Sequence, residues 1–395
     1  MKKTVALGTT LTITSSALNY ITQIIITEIA GFSARGQIEV IASIIALTSA
    51  IFSFNSYISL TLYSRKYQGE PFNLKNIFII TTVAQTIGAI AIFYFSSESL
   101  IGLDYRIIVL IITIAIVVNN YANINSALLN GIQIFISPRV AHSIGLLLTL
   151  ISIVALIQFS MPSNTTLIYF ASILPLVYTG ILIGRLKPYY FVPQVNVKFS
   201  LKRAALDLWP VYIISIAQLA ASRLFIIYVS SDGSLANVGT FAFANSLMQL
   251  GLLPMTMVAT IIISRRHNLA FDKPKLMPFF LYLSICLLGY GMISTGITKY
   301  IPLHTFQNQD FIDNAKILIW ILPFNAMASI AIAESVSKQR FSKLLIISQC
   351  ATLPLEVLMY EICKKISQPN SIALAFSIAT ILVSILAWGQ DKHEA

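Results

Sequence analysis

The chain has 395 residues, 56% of them hydrophobic and only 10% charged. Soluble domains average about 25% charged residues, so this composition excludes a water-soluble enzyme or binding domain; spans of ~20 apolar residues each account for the length instead. The formal charge of +11 suggests nucleic acid only until its positions are read, because it falls into short loops between apolar runs.

Met1-Lys2-Lys3 opens an apolar run that continues past Asn19 and Gln23 to Thr27. Signal-peptide cores run to about 7–15 residues, so this stretch is expected to stay as the first span, Val5–Thr27. Within it Thr12, Ser16, Asn19 and Gln23 are spaced four, three and four, which places them on one helix face. Such a face either bonds to a neighbouring helix or lines a polar passage. Glu28 and the turn Gly31-Phe-Ser-Ala-Arg-Gly36, with Arg35, follow at the span's far end. The second to sixth spans are expected at Ile38–Leu62, Ile77–Phe95, Ile107–Leu129, Val140–Phe159 and Leu167–Gly184. In the fourth, Asn119, Asn123 and Asn130 share one side, with Asn120 and Asn125 nearby.

A basic stretch over 185–205, containing Pro188 and Pro193, divides the chain. Six further spans are expected at Leu208–Val229, Val238–Ile263, Met277–Ile297, Ile317–Ala333, Leu344–Ile362 and Ile372–Trp388. The seventh span carries Ser215, Gln218, Ser222 and Arg223, and the eighth adds Asn245 and Gln249 one turn apart. Arg223 is permanently charged: its planar fork suits phosphate, or it snorkels to the interface near Val229. Glu356 is the deepest acid; it either carries a proton during transport or serves as a structural carboxyl. Pro175, Pro254, Pro323 and Pro354 fall inside spans and can kink them.

The expected fold is an all-α polytopic membrane protein with twelve transmembrane helices in two six-helix bundles, residues 1–184 and 206–395, joined by the basic linker 185–205. With the N-terminus inside, Arg35, Arg106, Lys299, Lys316, Lys364 and Lys365 fall outside and Arg223 within a span. The remaining 19 of the 26 Lys and Arg lie on the cytoplasmic side, a strong positive-inside pattern that puts both termini in the cytoplasm and removes nucleic acid as a partner. Because six is even, the bundles would be parallel repeats about a pseudo-two-fold along the membrane normal. A faint echo supports this: Phe32-Ser-Ala-Arg-Gly36 leading to Ile41-Ala-Ser43 matches Leu235-Ala-Asn-Val-Gly239 leading to Ala244-Asn-Ser246. Cys286, Cys350 and Cys363 are widely spaced, as are the four histidines, so no metal site or cofactor is expected. No outside loop is long enough for a catalytic domain, and no enzymatic activity is expected.

Gly31-Phe-Ser-Ala-Arg-Gly-Gln-Ile-Glu39 before the second span resembles the turn that opens the second helix of bacterial polysaccharide flippases, keeping the Arg-Gly of that motif. Arg223-Leu-Phe-Ile-Ile-Tyr-Val229 with Val238-Gly-Thr-Phe-Ala-Phe-Ala244 is similar to the family's seventh-to-eighth helix segment, although Ser222 stands where an Asp usually precedes the Arg. Ala333-Glu-Ser-Val-Ser-Lys-Gln-Arg-Phe341 resembles its inside turn after the tenth helix. The resemblance implies the O-antigen or capsule branch of the multidrug, oligosaccharidyl-lipid and polysaccharide exporter superfamily, in the bacterial cytoplasmic membrane. Its expected substrate is a polyprenyl-diphosphate-linked oligosaccharide, with a glycan polymerase and chain-length regulator as possible partners beside the lipid bilayer. On this reading Arg223 and Arg35 meet the diphosphate, Asn19, Gln23, Asn245 and Gln249 line the sugar path, and Glu356 and Glu28 are candidates for ion coupling. A drug or organic-cation exporter of the same superfamily is the alternative, ahead of a membrane-embedded glycan polymerase or acyltransferase.

Overall fold

The computed structural model describes residues 2–53, 74–96, 103–131, 136–160, 162–186, 209–232, 234–264, 276–338, 342–366 and 370–389. The basic linker expected at 185–205 lies outside the described residues except for its first two positions, and so does the end of the second expected span beyond Ser53. Every regular element among the described residues is helical, as a chain in hydrocarbon requires when each backbone group must find its partner within its own segment.

The helices are α1 (Lys2–Phe52), α2 (Leu74–Ser96), α3 (Tyr105–Gly131), α4 (Ile136–Ser160), α5 (Asn164–Arg185), α6 (Trp209–Asp232) and α7 (Leu235–Ser264). There follow α8 (Leu276–Ser294), a 3-10 turn at Ile297–Tyr300, α9 (His304–Gln307), α10 (Gln309–Leu318), a second 3-10 turn at Ile319–Ile321, α11 (Leu322–Lys338), α12 (Lys343–Ile366) and α13 (Ser371–Gly389). Among the described residues, 9 helical stretches are long and apolar enough to cross a membrane. Large apolar side chains such as Ile87, Leu110, Ile151 and Ile347 are exposed along them, a surface that only lipid covers favourably. Exposed aromatics sit near helix ends, at Tyr94, Tyr105, Phe159, Trp209 and Tyr300, the pattern of a membrane–water interface. The protein is therefore a multi-pass membrane protein.

Two expected boundaries shift. The turn predicted between the first two spans is helical apart from Gly31, whose φ of 79° and ψ of 173° suit only glycine. Arg35, expected in a loop, is thus a buried helical residue. The apolar stretch Thr10–Phe52 has 43 residues, about 65 Å of helix, or roughly twice the ~30 Å hydrocarbon thickness. Likewise, the tenth span does not begin at Ile317: Asn308 caps α10 by accepting from the Phe311 amide at 2.9 Å, and the helix starts at Gln309.

The chain separates into two compact units. Residues 1–22 and 37–219 form the first; residues 23–36 and 220–395 form the second. In the first, α5 packs on α3 and α4 through small residues. A Cβ on Gly180 would lie 2.1 Å from Val118 Cγ1, and one on Gly145 would lie 2.6 Å from Thr179 Cγ2. Close approach of this kind is how membrane helices gain dispersion energy, since lipid tails match the apolarity of their side chains. In the second unit, α12 packs along α13, and α7 against α10 and α11. Aromatic contacts fill that interior, among them Phe225 with Phe376 and Phe241 with Phe376. Hydroxyls in both units fold back onto their own helices, as Thr48 does on the Ile44 carbonyl at 2.8 Å and Ser246 on Ala242 at 2.8 Å.

Candidate functional site

The polar residues foreseen in the fourth span are used between helices. Asn120, fully buried on α3, donates to Thr81 Oγ1 at 2.9 Å and Thr82 Oγ1 at 2.6 Å on α2. Asn119 donates to Ser49 Oγ at 3.2 Å, and Asn125 to the Gly184 carbonyl at 3.3 Å. In the first span Thr12 bonds to the Gly8 carbonyl at 2.9 Å, while Asn19 is exposed. The three asparagines tie neighbouring helices of the first unit together, which is the ordinary use of amides in hydrocarbon.

Gln23, Glu28, Arg35, Arg223, Asn245, Gln249 and Glu356 belong to the second unit, whereas Ser215 and Gln218, earlier on the helix that carries Arg223, belong to the first. Gln23, half-buried on α1, accepts from Arg35 Nη2 at 3.3 Å, a bridge that reaches across the Gly31 break. Glu28 accepts from the His304 amide at 3.1 Å and from both the amide and the hydroxyl of Thr305. Its two oxygens are thus taken by neutral donors at the start of α9, partners that no sequence signal named. Arg223 is half-buried on α6, Asn245 half-buried on α7, and Gln249 exposed one turn further on.

Glu356 stands apart. Helix α12 buries Leu345, Ser348, Gln349, Thr352, Glu356, Tyr360 and Cys363, one face with a polar middle. Glu356 lies at its centre, 1% exposed, two residues after Pro354, and its Oε2 has no hydrogen-bond partner among the described residues. An unmet carboxyl oxygen in a membrane span is an acceptor of unused capacity, open to a proton, a water or a cation. The end of the same helix is fastened to α6: Lys364 pairs with Asp232, and Tyr228 donates to Glu361 at 2.7 Å. The three cysteines are free thiols, and no group of three His, Cys, Asp or Glu among the described residues could hold a metal ion.

No protein-family model matches this sequence, and no curated protein matches it. Solved structures do. The lipid II flippase MurJ, in an inward closed conformation, superposes with a TM-score of 0.68 at 18% identity, covering 98% of this chain and 87% of that one. The MATE multidrug transporter DinF-BH gives 0.63 at 13% identity, covering 100% and 95%. A MOP superfamily transporter from Pyrococcus furiosus gives 0.58 at 14% identity, covering 99% and 95%. This chain therefore has the fold shared by MurJ and the MATE transporters. At these identities the likeness is one of fold.

Proposed function

We propose that the protein is a flippase carrying a polyprenyl-diphosphate-linked oligosaccharide, such as an O-antigen, capsule or exopolysaccharide repeat unit, across a bacterial cytoplasmic membrane by alternating access. The observation that carries this reading is Arg223, a permanently charged fork half-buried in a helix long and apolar enough to cross a membrane. Such a residue is costly in a span unless it serves a polar passage, and its geometry fits a diphosphate bidentately. The fold shared with a lipid II flippase supports a lipid-linked substrate. Gln23, Asn245 and Gln249, with Asn19, supply amides that donate and accept, which is what sugar hydroxyls require. The protein's own part is transport, without covalent chemistry, and its partners would be the glycan polymerase and chain-length regulator acting after it. Two six-helix halves related by a pseudo-two-fold would rock about the central site, with both termini cytoplasmic. Deleting the gene should leave lipid-linked glycan on the inner leaflet, with Arg223→Ala failing to restore export and Arg223→Lys restoring part of it. Full export by Arg223→Ala would sink the diphosphate role.

A second reading, export of an organic cation or drug, is favoured by Glu356 and by the MATE likeness. Efflux of cationic dyes that Glu356→Gln abolishes, with no glycan accumulating on deletion, would establish it in place of the first.

A further inference from the structure

Residues 23–36 pack with the second unit although the chain on both sides of them belongs to the first. Three separate contacts hold this segment. Gly36 and Gly239 meet backbone to backbone: a Cβ on Gly36 would lie 2.2 Å from the Leu235 carbonyl oxygen, and one on Gly239 would lie 1.9 Å from that of Phe32. The contact is reciprocal, since Phe32 and Gly36 are the residues that Leu235 and Gly239 echo in sequence. Phe32 also packs edge-on against Phe243 at 6.2 Å, and Phe243 in turn meets Phe306 and Phe311 at 6.0 and 5.1 Å. The third contact is Glu28 on the amides of His304 and Thr305 and the Thr305 hydroxyl.

We propose that Gln23–Gly36 is a releasable strap, latched by Glu28 on Thr305, that lets go of the second unit during each transport cycle. The proposal rests on the transporter reading, because only a protein whose two units move would need to free it. Its chemistry suits release. The glycine and phenylalanine contacts are dry and short-ranged, so they are lost together over a small displacement. The donors that hold Glu28 are two backbone amides and a hydroxyl, all neutral, so water can replace each bond at modest net cost, whereas a buried ion pair would resist separation. Gly31, at φ 79° inside the strap, gives the helix a break at which it can bend, and the Gln23–Arg35 bridge keeps the strap's two arms together as it moves.

Spin labels at Ser33 and Ser231, both exposed in the second unit, report the release by pulsed dipolar distance measurement. The labels go into full-length protein in nanodiscs, with Cys286, Cys350 and Cys363 changed to serine. Glu28→Ala and Thr305→Val should each raise the long-distance population about tenfold, the double variant no further, and Glu28→Gln less than either. An unchanged distribution in Glu28→Ala and Thr305→Val overturns the latch. In a second arm, cysteines at positions 28 and 305 are joined by a short reducible methanethiosulfonate cross-linker. Glycan export should stop on linking and return on reduction; export at the unlinked rate overturns release. If the protein that keeps Glu28 and Thr305 exports no glycan, the flippase reading fails while the distance measurement still decides the strap.

Discussion

In the unit formed by residues 1–22 and 37–219, every buried polar side chain among the described residues is a hydroxyl or an amide, and Asn120, Asn125 and Ser143 bond to neighbouring helices. In the other unit the buried set includes Arg35, Glu334 and Glu356, three ionisable groups in the same apolar solvent. Hydrocarbon tolerates an amide wherever a second helix offers a partner, but an ionisable side chain survives there only with a specific reason. Packing alone therefore explains the polar residues of the first unit. The second unit carries more than packing requires, and on the proposed function that excess is where transport chemistry would lie.

The largest expected effect separates two kinds of glycine. A Cβ on Gly239 meets backbone at 1.9 Å, which no rotamer change relieves, whereas one on Gly180 meets first the Val118 side chain. Gly239→Ala should cost about 3 kcal/mol and Gly180→Ala about 1, measured by thermal unfolding in detergent. Equal costs would show that the Gly36–Gly239 crossing is no tighter than ordinary helix packing. Next comes Glu356→Gln, which keeps the volume of the carboxyl and removes its ionisable oxygen. Transport should fall at least about tenfold while thermal stability stays the same or rises, since the buried oxygen has no bond to lose. A drop in stability with transport intact would assign Glu356 to packing and dissolve the contrast. Smaller again is Asn120→Leu in the first unit, which gives up the bonds to Thr81 and Thr82: about 1 kcal/mol of stability, with the transport rate per folded molecule unchanged.

Much of the fold was legible because a span is a statement about solvent. Runs such as Ile107–Leu129 and Ile372–Trp388 name their own helices, and those observed extend them by only a few residues. Turns were harder. Arg35 and Lys316 read as loop charges, yet both are helical, because a short polar interval does not force the backbone out of a helix when a cap or a single glycine can redirect it. Asn308 followed by Asp310 was the readable cap signal, and Gly31 the readable break. Of the site, the depth of Glu356 followed from its position in the run. The partners of Glu28 did not, since they lie 276 and 277 positions away and are chiefly backbone amides, which carry no residue signature. The likeness of Phe32–Gly36 to Leu235–Gly239 was visible, but sequence similarity between two segments gives no sign that they touch.

The smallest effect concerns the break inside the tenth span, where the second unit again does something the first does not. Pro323 has no N–H, so the carbonyl of Ile319, four residues earlier, loses the donor that a regular helix would supply. The chain tightens into a 3-10 turn over Ile319–Ile321, the Leu322 amide reaches that carbonyl, and the fully buried thiol of Cys286 on α8 also donates to it at 2.9 Å. A thiol is a weak donor, so Cys286→Ala should cost only about 0.5–1 kcal/mol beyond its lost volume, and Cys286→Ser less. The two substitutions Cys286→Ala and Pro323→Ala should not add. Once position 323 has an N–H to offer Ile319, the thiol has nothing to compensate, and a double-mutant cycle on thermal stability should show coupling of that size. Strict additivity would mean that the thiol merely fills space beside the break, and that the 3-10 turn holds its shape through the Leu322 amide alone.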